Sequence, residues 1–125
     1  MRAHWINNEW TQGEATGTIP VENPATQEIL DEVPDGTEAD AHRAVEAAKA
    51  AFREWRKLSA VERAHMLHEV SRRAREHWDE LVELLTLEQG KPVPENEEEM
   101  EWTADTFDYY AELGRHIRGR VVPSG

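Results

Sequence analysis

The sequence predicts an α/β fold, with short strands in the first third and three to four helices after them. Three observations carry this reading. Residues 1–35 hold short β-favouring runs broken by Asn and Pro. From residue 37 onward, apolar residues recur three and four positions apart. The first two of these patterns start behind a residue suited to cap a helix.

In "HWINNEW", Asn7-Asn8 separates two short runs, and Asn tolerates the positive φ that a tight hairpin turn demands. Trp5 and Trp10 bracket this turn and are expected to dock it to the body. Ile19 and Val21 alternate with other residues until Asn23-Pro24 breaks the run. Ile29 to Val33 forms another short strand, stopped by Pro34. Strands this short are marginal alone and need something to pack on.

The first helical segment, 37–56, opens with Thr37 and Asp40, a pair able to accept the free N–H groups of a first turn. Ala41, Ala44, Val45, Ala48, Ala51, Phe52 and Trp55 form its apolar stripe, and the many alanines predict close approach to a neighbour. Ser59 and Glu62 open the second segment, 59–89, in the same way. Its face runs through Ala64, Leu67, Val70 and Ala74, then Trp78, Leu81, Val82 and Leu85. Asp79 stands where it can cap a restart, so this segment is two helices or one kinked helix. The third segment, 94–118, starts at Pro94 with acidic residues and carries Arg115, His116 and Arg118 towards its end, with Gly119 as its stop. Met100, Ala104, Phe107, Ala111 and Gly114 mark its inner face, and Trp102 does not share that stripe.

At 125 residues the chain is about one small domain. It has no cysteine, which excludes disulfides, thiolate zinc sites and a thiol nucleophile within it. The net charge of −12 argues against nucleic acid, since phosphate backbones are gripped by clustered Lys and Arg. No run of apolar residues is long enough for a membrane span, and "MRAHWINNEW" lacks the apolar core of a signal peptide. A cytoplasmic protein without nucleic-acid or membrane partners is the expectation. The acidic surplus fits either a salt-rich cytosol, which screens it, or an ordinary one.

Few motifs point to chemistry. "TLEQGKPVPE", residues 86–95, holds a Gly-Lys pair, yet Leu85 stands where a phosphate loop has its first glycine, and Pro92 follows Lys91. Gly90 suits the left-handed position that closes a helix, so this stretch is a helix stop. His65 and His68 lie three apart beside Glu62 and Glu69, but there is no HExxH and no third ligand, which leaves an exposed polar face. The Glu95 to Glu101 run lacks the spacing of an EF-hand loop and is expected to be solvated. Ser59, Ser71 and Ser124 lack a G-x-S-x-G context, and there is no G-x-G-x-x-G. Trp55 and Trp78 fall on apolar helix faces, where core packing is expected.

Taken in order, "INNEW", "ENPATQEILDEVP", "DAHRAVEAAKAAFREW", "ERAHMLHEVSRRA", "LTLEQGKP", "FDYYAELGRHIRG" and "VVPSG" resemble the N-terminal part of the aldehyde dehydrogenase superfamily. Each piece alone has a structural explanation; seven in the family's order and spacing are far more specific. The resemblance implies oxidation of an aldehyde to an acid with NAD or NADP, through a catalytic cysteine and glutamate that lie downstream of this segment. It implies that residues 1–125 belong to a Rossmann-like cofactor-binding domain whose parallel sheet is mostly outside the chain. The chain itself is then expected to hold no catalytic or cofactor-binding residue and to be inactive alone, with the remainder of the enzyme as its partner in a homo-oligomer. Asn7, Asn8, Asn23 and Asn96 lie in segments other than that of the family's oxyanion asparagine.

Two residue roles come with the resemblance. Glu88 matches a position, usually Asp, that in some members helps bind a monovalent cation with backbone carbonyls near Val21 and Glu22. Its longer side chain departs from that pattern. Trp102 and Thr106 match positions on a helix lining the aldehyde tunnel. Two other readings share the same residues: a free-standing helical interaction module from a truncated gene, and one subunit of a split enzyme.

Overall fold

The structure, a computed structural model, describes residues 3–123. Ser124, considered above, lies outside the described residues. Two antiparallel strand pairs precede four helices, the short strands and helices that the sequence predicts.

Strands β1 (His4–Ile6) and β2 (Glu9–Thr11) pair through a turn in which Asn7 and Asn8 have φ of 55° and 62°. These are the left-handed values that asparagine tolerates. Trp5 stands directly opposite Trp10, with ring centroids 4.8 Å apart in an edge-to-face contact. Trp10 is 71% exposed, so it docks onto its cross-strand partner rather than onto the body. Trp5 and the turn instead overlook Ala44, Ala47, Ala48 and Ala51 across a shallow groove.

The second pair joins β3 (Thr18–Glu22) to β4 (Ile29–Pro34), with a register irregularity at Val21/Glu22. Pro34 does not stop the strand before it; it is the last residue of β4, opposite Thr18. A terminal ladder position tolerates a residue without an N–H. Buried Asn23 accepts the Ala25 N–H at 2.9 Å and so shapes the loop between the strands.

Helix α1 (Glu38–Trp55) starts at the expected Thr37/Asp40 capping box, and α2 (Ala60–Glu76) at the Ser59/Glu62 box. The segment 59–89 is two helices. Helix α3 (Trp78–Gln89) restarts at His77, which supplies no side-chain cap; Asp79 sits in its first turn instead of capping it. Gly90, at φ 69°, ends α3, and Pro24 and Ala25 pack so closely that a Cβ there would lie 2.8 Å from Pro24 Cγ. This contact ties the helix stop to the β3–β4 loop.

Helix α4 (Val93–Leu113) ends earlier than residue 118, passing into a 3-10 turn (Gly114–His116). Residues 115–123 are all exposed, so little apolar burial favours a helix past Gly114, a weak helix former.

The core lies where α2 and α3 pack on α4. Its buried apolar side chains, among the described residues, are Ala64, Val82, Met100, Ala104 and Ala111. Alanines let α2 and α4 approach closely, but they bury little area each. Trp55 is 37% exposed and Trp78 half-buried, so neither is the core residue the pattern predicts. The alanine stripe of α1 is likewise half-buried or exposed along its length.

Candidate functional site

Helix α4 has two distinct sides. Met100, Ala104 and Ala111 are buried on one, with Phe107 half-buried. Trp102, Thr106, Tyr109 and Leu113 follow one another on the other, spaced by three and four residues, and all are exposed. Trp102 is 64% exposed, a large area of indole to leave in water. Trp102 and Thr106 line one shallow groove with Glu99, Thr103 and Phe107, so the structure brings this pair together. Thr103 does not offer its hydroxyl to that groove freely, since it donates to the Glu99 carbonyl at 2.7 Å.

Glu88 is elsewhere. It sits exposed in the last turn of α3, two residues before Gly90 meets Pro24 and Ala25. The helix end that carries it therefore abuts the loop that follows Val21 and Glu22. Among the described residues no group of three or more His, Asp or Glu side chains is placed to hold a metal ion.

Two polar features escaped the sequence reading. Asn96 is fully buried although it lies inside the charge run; its amide donates to Thr86 Oγ1 at 2.9 Å and to the Lys91 carbonyl at 3.4 Å. It pins the start of α4 to α3. His68 is not part of a free polar face. Its Nδ1 lies 2.6 Å from Asp108 Oδ1 and its Nε2 2.8 Å from Glu112 Oε1, across the α2–α4 seam. Buried Ser71 donates to Asp108 Oδ2 at 2.7 Å, and Arg75 bridges Asp105 and Asp108 at 2.8 and 3.2 Å. A matching signal exists in the sequence: His68, Ser71 and Arg75 share one face of α2, and Asp105, Asp108 and Glu112 share one face of α4.

This cluster is structural in its chemistry. Ser71 gives its proton to Asp108 and not to His68, so it is not paired with a base as a nucleophile is. The hydrogen bonds from His68 and Ser71 hold the Asp108 carboxyl below the usual carboxylate range. Asp108 in turn raises the His68 imidazole above its ordinary value, with Glu112 adding to the effect.

Two of the helix starts are capped by their own side chains. At α1 the Thr37 hydroxyl accepts the Asp40 N–H and the buried Asp40 carboxylate accepts the Thr37 N–H, and Ser59 and Glu62 exchange the same pair of bonds at α2. Acidic residues also occupy the first turns of α3 and α4, where they would repel an anion.

Much apolar surface is left uncovered. Phe52, Ile117, Val121 and Val122 are 59%, 76%, 92% and 74% exposed. A groove of about 320 Å³ between the start of α2 and the end of α4 is lined by Trp55, Ala64, Leu67, Tyr110 and Ile117. A thin core thus stands beside large uncovered apolar faces.

The model of the aldehyde dehydrogenase family matches residues 10–125, and the chain belongs to that family. It is 39% identical over 119 residues to a glutarate-semialdehyde dehydrogenase of Pseudomonas putida, covering 95% of this chain and 25% of that protein. It is 37% identical over 120 residues to a lactaldehyde dehydrogenase of Escherichia coli, covering 96% and 25%. The crystal structure of lactaldehyde dehydrogenase from Escherichia coli superposes with a TM-score of 0.94 at 36% identity, over 98% of this chain and 26% of that one. The chain thus spans about a quarter of the length of the relatives it matches. No helix among the described residues is long and apolar enough to cross a membrane.

Proposed function

We propose that this chain is the N-terminal portion of an enzyme that oxidises an aldehyde to a carboxylic acid with NAD or NADP, and that it is inactive by itself. The observation that carries this reading is the match of nearly the whole chain to one quarter of each relative, in a sequence without a cysteine. The nucleophile and the dinucleotide site then belong to the other three quarters. The side-chain caps of α1 and α2 support the same division, because they take up N–H groups that an anion could otherwise bind.

Within the complete enzyme, the exposed side of α4 lines the aldehyde passage, with Trp102 and Thr106 facing it. Glu88 helps hold a monovalent cation together with carbonyls near Val21 and Glu22. The uncovered faces of α1, α2 and α4 are covered by the rest of the polypeptide, in a cytoplasmic homo-oligomer. The first test compares residues 1–125 with the full-length gene product. The full-length protein is expected to reduce NAD or NADP in the presence of an aldehyde, while residues 1–125 neither do so nor bind the dinucleotide in calorimetry. Saturable binding by residues 1–125 at micromolar levels overturns the division of labour.

A further inference from the structure

The seam between α2 and α4 carries information that its geometry makes readable. His68 presents both ring nitrogens to carboxylate oxygens, Nδ1 to Asp108 at 2.6 Å and Nε2 to Glu112 at 2.8 Å. A neutral imidazole has one N–H, so it can donate to only one of the two; the other nitrogen then turns a lone pair towards a carboxylate. Only the imidazolium satisfies both contacts. We propose that the α2–α4 seam is a proton-operated clasp, closed when His68 carries both ring protons and loosened when it loses one.

The surrounding charges fit this role. From α4, Asp108 and Glu112 face the ring, while Asp105 is engaged by Arg75. From the 3-10 turn, Arg115 approaches Glu112 at 3.6 Å and the His116 charge acts on the same carboxylate. From α2 itself, Arg75 shares Asp108, whereas Arg72 and Arg73 are turned to Glu69, and Arg72 also to Glu76. The described ion pairs of α3 do not involve His68. Loss of the His68 proton therefore leaves Asp108 still held by Ser71 and Arg75, but leaves Glu112 with the longer Arg115 contact at 3.6 Å and the nearby His116. The weak point is the end of α4, one residue before the chain turns at Gly114.

The sign follows from the raised proton affinity of His68 in the fold. The clasp's contribution is fully present below the ordinary histidine value and is lost as pH rises through the higher folded value.

The test uses the full-length gene product and follows exchange of each histidine's C2 hydrogen by mass spectrometry from about pH 5 to about pH 9. His68 is expected to titrate above the ordinary histidine value. Backbone exchange in residues 108–113, corrected for its intrinsic dependence on pH, is expected to accelerate across the same range. In His68→Asn this acceleration disappears. Should that variant fail to fold, Glu112→Gln is expected to lower the His68 midpoint. A midpoint at or below the ordinary value, an acceleration that survives His68→Asn, or a midpoint untouched by Glu112→Gln each overturns the proposal.

Discussion

The Asp40 carboxylate accepts the backbone N–H of Glu14 through both oxygens, at 3.0 and 3.2 Å, linking the loop after the first hairpin to the first turn of α1. The same carboxylate accepts the Thr37 N–H at 3.0 Å and the Thr37 hydroxyl at 2.8 Å, and pairs with Arg43. One acid thus serves as a helix cap and as a loop anchor.

Gly13 should resist substitution. Its φ is 67°, and a Cβ there would lie 2.3 Å from Asp40 Oδ1. Gly13→Ala has both to strain the backbone and to displace the anchoring carboxylate, so it is expected to destabilise by roughly 1 kcal/mol or more. The denaturant midpoint of the full-length protein measures this. Gly17→Ala, with open space around it, is the matched control.

Asp40 also sets an acid dependence. Its bonds from Thr37 and Glu14 and its pairing with Arg43 hold its carboxyl well below the usual carboxylate range. A depressed folded value means that its stabilisation is present above the unfolded value, 3.8, and is lost as pH falls through the folded one. Protection of the Glu14 amide against exchange should therefore persist below pH 3.8 and fail only in stronger acid. In Asp40→Asn the protection should be weak at neutral pH and no longer depend on this titration.

Asn96 is predicted to matter more than the charged residues around it. Asn96→Ala leaves Thr86 Oγ1 and the Lys91 carbonyl without their buried donor. The expected cost is about 1–3 kcal/mol, read from the unfolding midpoint. Glu97→Ala or Glu98→Ala, on exposed positions of the same turn, should change it by no more than about 0.5 kcal/mol.

Trp102 separates tunnel from packing. Because it is 64% exposed here, Trp102→Ala should leave the stability of this segment nearly unchanged. In the complete enzyme it should shift the kcat/KM ratio of bulky to small aldehydes by about 10-fold or more, the usual scale of a pocket contact. The KM for the nicotinamide cofactor should barely move. An equal change for all aldehydes, or a change in oligomeric state alone, would identify Trp102 as a packing residue.

The sequence by itself determined the local elements. Asn7-Asn8, the Thr37/Asp40 and Ser59/Glu62 boxes and Gly90 each act through their own backbone and a few neighbours, so their effects are written in adjacent residues. The order of seven segments likewise placed the chain in its family. Tertiary structure decided what crosses between elements. Burial of Asn96, the second duty of Asp40, the His68 clasp and the early end of α4 all depend on which helix lies alongside which. A helical period shows that a face exists, but it does not name the partner that covers it. That is also why the helical period could not tell that Trp55, Trp78 and the α1 alanines, apolar by pattern, stay half-open in the fold.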